Sequence, residues 1–80
     1  MKLTIKYFGI LVDMTSKSEE VFDFKDDVQN LEQVKEMIEE KYNGIQSINY
    51  NIAINQVMSC DNTSLKNNDI LALLPPFAGG

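Results

Sequence analysis

The sequence predicts an α+β fold, a mixed sheet of about five strands with one main helix packed on one face. Two segments near the start alternate apolar and polar residues, as half-buried strands do. One amphipathic segment with recognisable ends follows, and three shorter apolar runs complete the chain. A chain of 80 residues has room for one core, so residues 1–80 are expected to form a single domain, with 75–80 as a projecting C-terminal tail.

Lys2 to Phe8 places Leu3, Ile5 and Tyr7 on one face and Lys2, Thr4 and Lys6 on the other, which gives the first strand. Gly9 opens a mixed loop running to about Ser18. Glu20 to Phe24 is a second strand, with Phe22 and Phe24 on one face and Val21 and Asp23 on the other. The two strands make a hairpin with a long connection. Asn30 is placed to cap the helix, and Gln33 completes a capping box. Leu31, Val34, Met37, Ile38 and Tyr42 share one helical face, while Glu32, Lys35, Glu36 and Glu39 point away. Asn43-Gly44 supplies a residue able to take positive φ, which ends the helix.

Ile48, Tyr50, Ile52 and Ile54 alternate with Asn49, Asn51, Ala53 and Asn55 in a third strand. Asn55-Gln56 reads as a turn into a short fourth strand, Val57 to Ser59. Cys60 to Asp69 is a polar loop that only Leu65 anchors to a core. Ile70 to Leu74 is a continuous apolar run, as expected of a strand with neighbours on both sides. Pro75-Pro76 ends it, since neither residue can donate to a ladder. The simplest arrangement of strand, strand, helix and three strands is the β-grasp, with the first and last strands adjacent and parallel. Ile70, Leu71, Ala72, Leu73 and Leu74 cannot all face the helix. Some of them should form an apolar patch beside the tail, a common mark of a protein interface.

Composition excludes much. The formal charge is −5 and all 7 basic residues are lysines, so a nucleic-acid partner is disfavoured. No apolar run approaches the ~20 residues of a membrane span, and Met1 to Lys6 is not a secretory signal. A cytoplasmic protein is expected. Cys60 is the sole cysteine and there is no histidine, which removes an intrachain disulfide, a conventional metal site and Ser-His or Cys-His pairs. Neither a bound cofactor nor an active site of the chain's own is expected.

The chemistry then falls to the last six residues, Pro75, Pro76, Phe77, Ala78, Gly79 and Gly80. Beyond the prolines the chain should project from the last strand. Two terminal glycines without Cβ atoms can enter a narrow channel and bring a carboxylate to a reactive centre. That suits an enzyme that adenylates a C-terminus. A stub with no role is the plainer reading, because chain ends are often small and unstructured.

The ending Leu73-Leu74-Pro75-Pro76-Phe77-Ala78-Gly79-Gly80 resembles the terminal signature of the molybdopterin synthase small subunit, a ubiquitin-like sulfur carrier. Ala53-Ile54-Asn55-Gln56 resembles that family's Ala-Val-Asn turn. Thr63-Ser64-Leu65-Lys66-Asn67-Asn68-Asp69 resembles its Thr-Pro-Leu-x-Asp-Gly-Asp segment, and Leu3 to Phe8 its opening strand. The chain departs at Ser64, at Asn67-Asn68 and at Val12, which sits near where the family often carries an arginine. The resemblance implies that Gly80 is adenylated with ATP by an enzyme similar to ubiquitin activators and converted to a thiocarboxylate by a persulfide donor. It further implies a heterotetramer in which the tail enters the large synthase subunit and gives sulfur to cyclic pyranopterin monophosphate, the catalytic groups belonging to the partners.

Other residues carry plainer alternatives. Cys60 as a second sulfur acceptor competes with an incidental thiol. Phe77 could anchor the tail in a partner or pack on its own sheet. The helix glutamates read as a solvated face, and Met14 and Met58 as core or loop filler. A thiamin-pathway sulfur carrier, a ubiquitin-like modifier joined to lysines, and an interaction domain that never uses its terminus remain rival functions.

Overall fold

The structure, a computed structural model, describes residues 1–24, 30–58 and 63–76. Strand β1 (Lys2–Tyr7) leads into a short helix, α1 (Ile10–Thr15), and strand β2 (Glu19–Asp23). The main helix, α2 (Leu31–Lys41), is followed by a 3₁₀ turn at Ile45–Ser47. Strands β3 (Asn51–Ile54), β4 (Val57–Met58) and β5 (Ile70–Leu74) complete the described chain. They form one five-stranded sheet in the order β2-β1-β5-β3-β4. The mixed sheet with one main helix is the expected β-grasp architecture.

The central pairing follows from the apolar run at the end of the chain. β5 lies parallel to β1, with Ile5 opposite Leu71 and Tyr7 opposite Leu73, and antiparallel to β3. Leu3, Ile5, Leu71 and Leu73 are fully buried and share one core with Val34 and Ile38 of α2. Removing each such side chain from water contributes roughly 1.5–3 kcal/mol. Successive strand residues point to opposite faces, so Thr4, Lys6, Ile70, Ala72 and Leu74 lie on the face away from this core.

Several expectations need correction. The segment after Gly9 is not all loop: Ile10–Thr15 is helical because Leu11 enters the core and Thr15 Oγ1 donates to the Leu11 carbonyl at 2.8 Å. The third strand starts at Asn51 rather than Ile48, since Asn51 already pairs with the last residue of β5, Leu74. Ile48 has no ladder partner left to reach. Met37 is 43% exposed at the border of the helix's apolar face. Met58 is 58% exposed and fills no core, whereas Met14 packs partly buried against it. Glu39 does not simply face solvent, because Tyr50 donates its hydroxyl to it at 2.8 Å. Lys35 likewise holds its ammonium 5.6 Å from the centre of the Tyr50 ring. The fourth strand is described only through Met58; Ser59 and Cys60 lie outside the described residues.

The helix cap is as the sequence predicts. Asn30 Oδ1 accepts from the Gln33 amide at 3.1 Å, and Gln33 Oε1 accepts from the Asn30 amide at 3.2 Å. Replacing Asn30 with alanine should cost about 1 kcal/mol and lower Tm by roughly 4–8 °C, measured by thermal denaturation. An unchanged Tm would mean that the bond from the Leu31 amide to the Thr63 carbonyl holds this end by itself.

A carboxylate anchors β2 to the rest. Glu20 Oε2 accepts from the Tyr7 hydroxyl at 2.6 Å and the Tyr42 hydroxyl at 2.5 Å. Its Oε1 accepts from Lys41 at 2.9 Å and Lys17 at 3.2 Å. At the other end of the sheet, Asp69 is buried and accepts from Asn55 Nδ2 and the Lys66 amide, while Asn55 Oδ1 accepts from the Ile70 amide. This joins the β3–β4 turn to the start of β5. Asn55 and Gln56 both take positive φ, 50° and 72°, the geometry of a tight two-residue hairpin turn. No helix of the described residues is long and apolar enough to cross a membrane.

Candidate functional site

The root of the tail is set by the central strand. β5 ends at Leu74, Pro75 is buried, and Pro76 is exposed. Pro75 sits against Gly9, which has φ 58°; a Cβ there would come within 3.0 Å of the Pro75 ring. The corner between β1 and α1 therefore meets the proline that directs the chain away from the sheet. Gly9 is the one position near the tail where a missing side chain matters twice, for backbone conformation and for space.

Around this root lies a cavity of about 590 Å³ lined by Phe8, Gly9, Ile10, Ile48, Leu74, Pro75 and Pro76. A second cavity of about 340 Å³ lies beside it, lined by Lys6, Phe8, Asn55, Gln56, Ile70 and Ala72. Phe8 contributes to both. The apolar patch expected of β5 is therefore present, with Ile70 41% exposed and Ala72 and Leu74 half-buried. Its extension through Phe8, Ile10 and Ile48 was not anticipated. The available signal was Phe8, an aromatic residue on the polar face of β1's alternation.

Of the six tail residues, the structure places Pro75 and Pro76 together at this site; Phe77, Ala78, Gly79 and Gly80 lie outside the described residues. Val12, where the resemblance suggested a docking cation, is half-buried and packs against the core. The first cavity has no titratable side chain in its lining, and the second has only Lys6. Among the described residues no group of three or more His, Cys, Asp or Glu could hold a metal ion. Such a surface can grip another molecule and offer it a chain end. It has no general acid, base or nucleophile with which to do chemistry itself.

Solved structures share this fold. A provisionally assigned molybdopterin converting factor subunit 1 from Pyrococcus furiosus superposes with TM-score 0.85 at 20% identity, over 95% of this chain and 98% of that one. Small archaeal modifier protein SAMP1 from Haloferax volcanii gives TM-score 0.84 at 18% identity, with 100% of both chains covered. A chain in the complex of subunits 1 and 2 of molybdopterin-converting factor from Helicobacter pylori 26695 gives TM-score 0.72 at 24% identity, again over 100% of both. No curated protein matches the sequence significantly. The ThiS family model matches residues 5–80, nearly the whole chain, and the protein therefore belongs to the ThiS family of ubiquitin-like sulfur carriers.

Proposed function

We propose that this carrier serves molybdenum cofactor biosynthesis, with the Gly80 carboxylate as the group that is loaded and unloaded. One observation carries the reading. The central strand leads through Pro75-Pro76 into Gly79-Gly80 from a surface equipped to dock a partner but not to catalyse. An adenylating enzyme joins the carboxylate to the α-phosphate of ATP and releases pyrophosphate. The outer sulfur of a persulfide attacks the acyl carbon and displaces AMP. A thiol then cleaves the resulting sulfur–sulfur bond, leaving a thiocarboxylate on Gly80. The large subunit of molybdopterin synthase takes the tail and passes the sulfur to cyclic pyranopterin monophosphate, supplying the catalytic groups itself. The carrier needs no bound cofactor for its part, and Pro75 to Gly79 are the residues that enter the partner.

Support comes from the family match and from the likeness of the whole chain to subunit 1 of molybdopterin-converting factors. The family model's own name favours one second reading, a thiamin-pathway carrier with the same loading chemistry. Protein incubated with its activator, ATP and a persulfide donor should gain the mass of one oxygen-to-sulfur exchange. No gain, under conditions that load a known carrier, removes the proposal. Loaded protein should then convert the pterin precursor in the presence of a synthase large subunit. Transfer to a thiazole-forming enzyme instead would select the second reading.

A further inference from the structure

Charge is unevenly placed on this molecule. Glu32, Glu36 and Glu40 are exposed along α2, on the far side of the core from the open sheet face. Neither cavity on the tail side is lined by a carboxylate, and Lys6 is the one charged residue that lines either. Glu19 stands opposite Lys6 across β1 and β2, yet among the described residues no ion pair joins them. Phe8, 44% exposed, separates the apolar cavity from the one that Lys6 lines, and Ile10, 50% exposed, edges the first.

From this arrangement we infer that the open face from Lys6 to Pro76 docks the protein that handles the tail, and that this partner presents an apolar side chain to the Phe8–Ile48–Pro75 cavity and a carboxylate to Lys6. The inference rests on Gly80 as the reacting group. Four residues separate Pro76 from that end, 77 to 80, and they span at most roughly 14 Å. A partner whose reactive centre meets Gly80 therefore lies against the tail root and covers these cavities. Lys6 is its electrostatic anchor because Val12 offers no charge. Burying Phe8 supplies affinity, and the opposed charges set orientation and the rate of encounter.

The test is titration calorimetry of the full-length protein against a molybdopterin synthase large subunit and, separately, against its adenylating enzyme. Phe8→Asp should weaken binding about ten-fold or more. Lys6→Glu should weaken it about five-fold and flatten its dependence on salt. Lys66→Glu makes the same change in net charge at the opposite end of β5, and should leave affinity unaltered. Should Phe8→Asp fail to fold, Ile10→Asp probes the same cavity. Wild-type affinity in both the cavity variant and Lys6→Glu overturns the inference, as does equal weakening by Lys66→Glu. Absence of binding by the wild type to either protein also overturns it. Binding is read without sulfur chemistry, so a wild type that docks but is never loaded sinks the role of Gly80 instead.

Discussion

Appending one alanine after Gly80 should leave Tm unchanged and lower sulfur loading by more than about a hundred-fold. The fold should be indifferent because every core residue lies upstream of Pro76. The chemistry should not be. One added residue moves the terminal carboxylate by roughly 3.5 Å along an extended chain and puts a Cβ where there was none. A reacting group displaced by even about 1 Å can lose a factor on the order of 10². The measurement is intact mass after incubation with activator, ATP and a persulfide donor, beside a thermal melt of the same sample. Normal loading of the extended chain would take the terminus out of the mechanism. Loss of loading together with loss of fold would point to a structural role for the tail.

What could be read beforehand depended on whether a feature was local. The Asn30–Gln33 capping box, the positive-φ turn at Asn55-Gln56 and the burial of Leu65 each rest on a few neighbouring residues, and each is present as expected. The place of β5 between two strands was legible because five apolar residues in a row need cover on both faces. Helix α1 was not legible. Six residues make fewer than two turns, and that is too short for a period to declare itself. Its helicity comes from Leu11 packing into a core assembled elsewhere. The late start of β3 is also a property of the partner strand, since Leu74 is the last residue it can pair with before Pro75.

The site divides along the same line. Pro75 and Pro76 announced where the strand ends, and they do line the candidate site. Phe8, Ile10 and Ile48 reach it from three separate segments, so no window of sequence contains the cavity. The Glu20 cluster was hidden for a similar reason, though one clue was available. Alternation in β2 puts Glu20 on the same side as Phe22, a charged residue on an inward face. Tyr7 on the buried face of β1 needed a partner for its hydroxyl, and Glu20 is that partner.

That cluster carries the second large expectation. Glu20→Gln should destabilise the protein by about 2 kcal/mol near neutral pH, a fall of roughly 10 °C in Tm. Burial raises the Glu20 pKa, but hydrogen bonds from Tyr42, Tyr7, Lys41 and Lys17 outweigh it and bring it down from 4.5 to about 2. Taken whole, that shift corresponds to roughly 3.4 kcal/mol. Lys17 and Lys41 are about half exposed, 47% and 46%, so screening by water reduces their share. Glutamine also brings an NH₂ donor among four donors, leaving one of them facing no acceptor. Tyr7 shows the same coupling from the other side, its hydroxyl pushed well above the usual phenol range by burial and then by the Glu20 carboxylate.

The sign of the pH dependence follows from the depressed carboxyl. Between about pH 2 and pH 4.5 the unfolded chain holds a proton on Glu20 that the folded chain does not, so stability rises with pH across that window. The contribution is complete above about pH 4.5 and is lost as acid approaches about pH 2. Urea unfolding at a series of pH values should therefore show the wild type losing stability more steeply than Glu20→Gln in this interval, with the two curves converging at the acid end. Parallel curves would assign the acid sensitivity to other carboxylates, and would reduce Glu20 to a hydrogen-bond acceptor that a neutral oxygen could replace.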